Sequence, residues 1–304
     1  MLAFIEEYVA LRQALGFKFH TTAQMLRDFG AFAERRGDTR VRYRTAIAWA
    51  KQAGTQDLAR RRLASVRMLS IFLRAEDEQH EAVPKQLFKP RPPPPMPHVY
   101  TSAEISTLLG HAAQLEPPGC FRSKTFVTLF GLLAATGLRV SEALHLRIGD
   151  FSDHGLTIRE TKFRKSRFIP LHATTCAALK RYITSRRAVA CTTDHIFISE
   201  RSGRAQPYAV VWWTFRSICL RAGIGVRTAS GRNPRIHDLR HTFAVRSLEH
   251  CAAERLAVAR HMGALATYLG HANAHHTFWY LHRTPQLLRG IARACEQANS
   301  PRAR

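Results

Sequence analysis

Acidic residues are scarce in this chain. Asp and Glu number 22 against 46 Lys and Arg, and the 304 residues carry a formal charge of +24. A folded domain that basic repels itself unless a polyanion neutralises it, so nucleic acid is the expected partner. The shortage is uneven. Residues 1–84 hold 14 basic and 10 acidic residues, whereas 85–304 hold 32 and 12. Paired cysteines are lacking too. Cys120, Cys176, Cys191, Cys219, Cys251 and Cys295 are scattered with no C-x-x-C, which argues against a zinc ribbon or a disulfide framework and suits a reducing cytoplasm. The longest mostly apolar stretch, Phe126 to Leu138, is too short to span a bilayer and contains two threonines. Glu6 and Glu7 stand where a secretory signal would be basic. There is no G-x-x-x-x-G-K-[ST] to cradle ATP, and the 12 carboxylates beyond residue 84 form no obvious cluster for paired catalytic metals. These absences predict a soluble cytoplasmic protein acting on DNA, with no membrane contact and no cofactor.

Proline is concentrated in one place. Lys89 to Pro97 contains six prolines and cannot be helix or central strand. It reads as a semi-rigid linker within residues 85–100, dividing a domain at 1–84 from a second at 101–304.

The first domain reads as four helices. Leu2 to Leu15 ends near Gly16. Thr21 or Thr22 caps the second, whose Met25, Leu26, Phe29, Phe32 and Ala33 fall at helical spacing before Gly37. Tyr43 to Gln52 and Asp57 to Arg74 are the third and fourth. Arg60, Arg61, Arg62 and Arg67 lie on the fourth, either as a solvated face or as phosphate contacts. The second domain opens on the capping-box pattern Thr101-Ser102-Ala103-Glu104. Ser123 to Thr136 reads as a buried helix ended by Gly137. Leu156 to Glu160 and Arg167 to Leu171 read as a β-hairpin, with a third strand expected at His195 to Ser199 and a turn at Gly203. Tyr208 to Ala222 and most of Leu239 to Glu296 read as helices. The expected fold is mainly α with a small β-sheet.

Three stretches gather cations and a nucleophile. They are Thr136-Gly137-Leu138-Arg139-Val140-Ser141-Glu142, then His237-Asp238-Leu239-Arg240-His241, then Leu269-Gly270-His271 followed by Tyr280. In type, order and spacing this set resembles the tyrosine recombinase, or phage integrase, family. The resemblance runs from about Thr101 to Pro285. It implies an N-terminal four-helix core-binding domain and an α+β catalytic domain, closing as a clamp around duplex DNA.

The resemblance also implies roles. Arg139 and Arg240 would hold the scissile phosphate, a task that suits a guanidinium because it is always charged and binds phosphate through a planar fork. Glu142, one helical turn after Arg139, could orient it. Tyr280 would be the nucleophile. A phenol has a pKa of about 10, so it needs cations or a proton acceptor to react at neutral pH. His237 would assist its proton, and His271 would hydrogen-bond the phosphate. Tyr268, the competing tyrosine, reads as packing. The leaving 5′-hydroxyl needs a proton. Within Glu160-Thr161-Lys162-Phe163-Arg164-Lys165-Ser166-Arg167, alignment on the following Phe168-Ile169-Pro170-Leu171 favours Lys162 as its source over Lys165, a candidate DNA contact. Thr161 and Phe163 replace the glycines that flank this lysine in many members. A metal at His237 and His241, spaced i, i+4, is disfavoured by Arg240 between them.

The chemistry so implied is strand exchange through a 3′-phosphotyrosine and a Holliday junction, without metal or ATP. It would be carried out by four copies on two duplexes, alone or with related recombinases. A last helix from Gln286 to Glu296 would dock on a neighbour or on its own domain. The short N-terminal part points to a simple recombinase, either a Xer-like resolvase or one of a transposon or integrative element, and the unusual lysine flanks favour the mobile element. Relaxation of the type IB topoisomerase kind and a non-catalytic accessory DNA-binding role are the alternatives.

Overall fold

Four helices form the first of two compact units, Met1–Pro94, and the second unit is Pro95–Arg304. The computed structural model describes residues 1–85, 96–159, 166–225, 233–250 and 255–270, with the side chains of 255–257 excepted. The proline-rich stretch up to Pro95, Lys162, Lys165, His271, Tyr280 and the last helix from Gln286 to Glu296 lie outside the described residues.

In the first unit, α1 (Leu2–Ala14), α2 (His20–Glu34), α3 (Tyr43–Lys51) and α4 (Gln56–Arg74) surround Ile5, Leu26, Phe29, Trp49, Val66 and Leu69, each no more than 3% exposed. The helix starts differ from expectation in one case. α2 is capped by neither Thr21 nor Thr22. It begins at His20, after Phe19 turns the chain at φ +44°, and both threonines fall inside its first turn. α4 is capped by Thr55, whose hydroxyl accepts from the amide of Leu58 at 3.2 Å.

The second unit opens as its sequence predicts. Thr101 Oγ1 accepts from the amide of Glu104 at 3.1 Å, and Glu104 Oε2 accepts from the amide of Thr101 at 2.8 Å. That box starts α5 (Ser102–Ala113), which packs on α6 (Phe121–Thr136). α6 is apolar nearly all round, with Phe126, Leu129, Phe130, Leu132 and Leu133 at most 2% exposed, so it is the central helix of the unit. A short α7 (Val140–His145) and a single 3-10 turn (Ile148–Asp150) lead into a three-stranded antiparallel sheet: β1 (Phe151–Ser152), β2 (Gly155–Ile158) and β3 (Arg167–Pro170), in that order. β2 and β3 pair from Gly155 with Pro170 to Ile158 with Arg167, as the hairpin expectation requires. The third strand is not His195 to Ser199. That segment makes only isolated bridges, Arg147 with His195 and Ile198 with Ala205, because its backbone bonds are split: the Ile196 amide donates to the Leu146 carbonyl, whereas the Phe197 carbonyl accepts from the Gln206 amide, so no continuous ladder forms with either neighbour. β1 takes the place beside β2 instead.

Beyond the sheet come α8 (Ala173–Arg186), α9 (Tyr208–Arg221), α10 (Asp238–Glu249) and α11 (Arg255–Leu269). Leu248, Met262, Leu265 and Leu269 close the α10–α11 contact. Among the described residues no helix is long and apolar enough to cross a membrane.

Candidate active site

The first motif is a tight helix-to-helix corner. Thr136 accepts the amide of Leu138 on its hydroxyl at 3.3 Å. Gly137 then takes φ +62°, a left-handed conformation that glycine adopts at no steric cost. Leu138 is buried, and Arg139 leaves the corner as the residue that launches α7. A Cβ on Gly137 would stand 2.6 Å from the Phe243 ring, so the glycine also lets α10 approach.

The second motif is the start of α10. Asp238 is 2% exposed, and its carboxylate accepts from the Arg235 amide at 2.9 Å and from Arg235 Nη2 at 3.2 Å. This holds the turn that presents His237. The His237 ring meets the His241 ring edge-on at 4.8 Å. Burial lowers the His237 pKa below the ordinary 6.5, helped by Arg240, Arg235 and Arg139 and opposed by Asp238. The imidazole is therefore neutral at neutral pH and able to accept a proton. Thr242, one turn on, accepts the Tyr100 amide at 2.9 Å, so α10 is also tied to the chain entering this unit.

Both motifs converge on the end of α11. Arg167 Nε donates to the carbonyl of Tyr268 at 2.8 Å. Arg240 Nη2 donates to that of Leu269 at 2.6 Å. Arg139 Nη2 donates to that of Gly270 at 3.1 Å. Three guanidiniums from three distant parts of the chain thus take three consecutive carbonyls, where a helix C-terminus is electronegative and its carbonyls lack helical partners. Arg240, 2% exposed, also donates to the carbonyl of Gly137 at 2.8 Å and so joins the first motif to the second.

Glu142 sits among them. Its Oε1 accepts from Arg139 Nη1 at 2.7 Å and Arg167 Nη1 at 3.1 Å. Its Oε2 accepts from the Arg139 amide at 3.0 Å and Arg167 Nη2 at 2.8 Å. Burial, the largest single influence, raises its pKa. The hydrogen bond and charge of Arg167, then the hydrogen bonds from Arg139, outweigh that and hold it below the ordinary 4.5. Arg139, Arg167, Arg240 and Glu142 together carry a net positive charge.

Arg139, Glu142, His237 and Arg240 are thus brought to one place, next to the position where the chain continues to His271. Arg60, Arg61, Arg62 and Arg67 lie on α4 in the other unit. Arg61 is the most exposed of the ion-paired two, its side chain 60% accessible and near Asp57. Arg62 is spent on packing: its guanidinium lies over the Trp49 ring at 4.7 Å and donates to the Trp49 carbonyl. Tyr268 does pack, stacked on Phe243 at 5.4 Å, and burial pushes its pKa up to about 12 against the pull of Arg167 and Arg240. Sequence reasoning gave no role to Arg167 or Asp238. Their only signal was a charged residue at the mouth of an apolar strand and a carboxylate beside a motif histidine.

Residues 98–286 match the phage integrase family. A Sinorhizobium fredii (strain NBRC 101917 / NGR234) protein assigned to the integrases/recombinases, y4rB, is 34% identical over 96% of each chain. The tyrosine recombinase XerD of Agrobacterium fabrum (strain C58 / ATCC 33970) is 28% identical over 92% of this chain and 88% of that one. Among solved structures, the Tn1549 transposon integrase in complex with transposon right end DNA superposes with a TM-score of 0.64 at 18% identity, covering 91% of this chain and 94% of that one. The XerH recombinase bound to its difH substrate gives 0.62 at 20% identity, covering 84% and 71%. With the motif residues gathered as described, the chain belongs to the phage integrase family, the tyrosine recombinases.

Proposed function

We propose that the chain is a site-specific DNA recombinase that cuts and rejoins duplex DNA through Tyr280. The convergence of Arg139 and Arg240 on the end of α11 carries this reading. It sets two permanent cations side by side, Arg240 buried and Arg139 partly exposed, where they can stabilise charge developing on a phosphate. The described tyrosines offer no rival. Tyr8, Tyr100, Tyr182 and Tyr268 all have pKa values raised by burial, and the exposed Tyr43 and Tyr208 belong to none of the three motifs.

In the mechanism, Arg139, Arg240 and His271 hold the non-bridging oxygens of the scissile phosphate. Neutral His237 takes the phenolic proton as Tyr280 Oη bonds to phosphorus. The bond from phosphorus to the 5′-oxygen breaks, and Lys162 gives that oxygen a proton. The products are a 3′-phosphotyrosine and a free 5′-hydroxyl. Phosphoester energy is retained, so the 5′-hydroxyl of a partner strand can attack the adduct, release the phenol and restore a phosphodiester. Repeated on four strands, this passes through a Holliday junction and requires four copies on two duplexes. Relatives named as integrases and a transposon integrase of the same fold support a mobile element as the setting. Met1–Pro94 serves as the core-binding domain, with Arg61 among its phosphate contacts.

The test is covalent trapping. The full chain is incubated, without metal, with nicked duplexes from the ends of its own genetic element and run on a denaturing gel. A shifted band absent from Tyr280→Phe supports the reading. Tight DNA binding with no adduct on any such duplex points instead to an accessory DNA-binding role.

A further inference from the structure

We infer that Arg167 is a positioning residue for the phosphate site: it neutralises Glu142, so that Arg139 keeps its positive charge for DNA. The inference rests on the reading of Arg139 as a phosphate ligand.

Arg167 is the first residue of β3, and its side chain is 11% exposed. Its planar fork meets both oxygens of Glu142, at 3.1 and 2.8 Å, while its Nε holds the Tyr268 carbonyl at 2.8 Å. One guanidinium therefore ties β3, α7 and α11 together. Gly270, at φ +66°, leaves the space: a Cβ there would lie 2.8 Å from Arg167 Nη1. A lysine could carry the charge but could not make the three contacts in one plane.

The electrostatic consequence follows from the shared carboxylate. A carboxylate has about four acceptor positions, and Glu142 fills them with two donors from Arg139 and two from Arg167. With both arginines present, the trio carries one net positive charge. Without Arg167, the buried Glu142 and the partly exposed Arg139 form a neutral pair, and the guanidinium intended for phosphate has its charge satisfied internally. Arg167 also begins β3, so its bond to the Tyr268 carbonyl ties that strand to the end of α11.

The experiment compares two substrates: the nicked phosphodiester duplex, and the same duplex with a methylphosphonate at the scissile position, which lacks one charged oxygen. Strand cleavage is timed for wild type, Arg139→Gln, Arg167→Gln and Arg167→Lys. Arg167→Gln is expected to cleave the phosphodiester about 10- to 100-fold more slowly than wild type, as when a partner that orients a charged ligand is removed. It should recover most of that loss on the methylphosphonate, in parallel with Arg139→Gln, because the missing cation has less charge to meet. Arg167→Lys, which keeps the charge without the fork, should fall between Arg167→Gln and wild type on the phosphodiester, and it carries the test if Arg167→Gln does not fold. Equal loss on both substrates, or no loss on either, overturns the inference while the recombinase reading stands. A wild-type chain that forms no Tyr280-dependent adduct overturns the recombinase reading itself.

Discussion

Arg240 donates to the carbonyl of Leu269 at 2.6 Å from a side chain with almost no exposure, and this bond closes the site around a buried charge. A guanidinium can reach Leu269 and Gly137 at once because its two terminal nitrogens diverge. A lysine has three donors on a single nitrogen, so it cannot span the two carbonyls as the guanidinium does. Arg240→Lys should therefore lower unfolding free energy by about 1.5–3 kcal/mol, the range for one hydrogen bond to a charged group. It should slow cleavage by about 100-fold or more. Urea unfolding and single-turnover cleavage read the two effects. Wild-type cleavage in a stable Arg240→Lys protein would count against Arg240 as a phosphate ligand.

Gly137 and Gly270 both hold positive φ, at +62° and +66°, yet they face different neighbours. Alanine at 137 meets the Phe243 ring, whereas alanine at 270 meets the Arg167 guanidinium. Each carries a backbone cost of about 1–3 kcal/mol for a non-glycine residue in that region. Gly137→Ala should act mainly on stability, through the α6–α10 packing. Gly270→Ala should lose more cleavage than its stability change explains, since it displaces the residue that neutralises Glu142. Similar ratios of activity loss to stability loss in the two variants would refute the distinction.

His237 gives the site a pH signature. Its folded pKa lies below 6.5, chiefly through burial. As pH falls through 6.5, a free histidine protonates but His237 does not, so a step that uses it as proton acceptor keeps its rate there and loses it only at lower pH. Stability changes with the same sign. Below 6.5 the unfolded chain binds a proton at this position that the folded chain resists, so folding stability declines as pH falls. Cleavage rates measured between about pH 5 and 8 test this, and a midpoint at the ordinary histidine value would rule it out.

Local signals made much of this architecture readable in advance. The Thr101–Glu104 box, the Gly137 terminus and the β2–β3 hairpin each depend on residues within a few positions of one another, and each lies where the sequence places it. The fold class followed from them, and the family from three motifs in order. The misplacements have a common cause. His195 to Ser199 is rich in strand-forming residues, but its backbone is shared between Leu146–Arg147 and Arg204–Gln206, and the first of these lies too far away in sequence for a local pattern to reveal. α2 starts at His20 because Phe19 takes a left-handed turn, a choice governed by packing against Tyr8 at 5.7 Å rather than by the threonines that follow. Arg167 was invisible as a site residue because its partners, Glu142 and Tyr268, lie 25 and 101 positions away.

Glu142 allows the charge network to be titrated. Its folded pKa is depressed below 4.5, so its ionisation contributes stability that is present above that value and is lost as pH falls through the lower folded value. Glu142→Gln removes the titration but leaves an acceptor oxygen. Wild type should be the more stable above pH 4.5, and the difference should shrink as the solution is acidified below it. Chemical unfolding of both proteins across that range measures the gap. A gap that is constant with pH would mean the carboxylate charge contributes nothing to the fold.

Arg61 and Arg62 are neighbours with opposite expected behaviour. The Arg61 side chain is 60% exposed near Asp57, whereas the Arg62 guanidinium lies over Trp49 and bonds its carbonyl. If α4 faces the DNA backbone, Arg61→Ala removes a phosphate contact. The plot of log affinity against log salt should then flatten by about 0.9, with little change in stability. Arg62→Ala removes a cation–π contact and a hydrogen bond, so it should lower unfolding free energy by about 1–2 kcal/mol and leave the salt slope nearly as it was. Binding to a non-specific duplex at several salt concentrations, with unfolding curves alongside, separates the two. An Arg61→Ala protein with an unchanged slope would remove that arginine from the DNA surface.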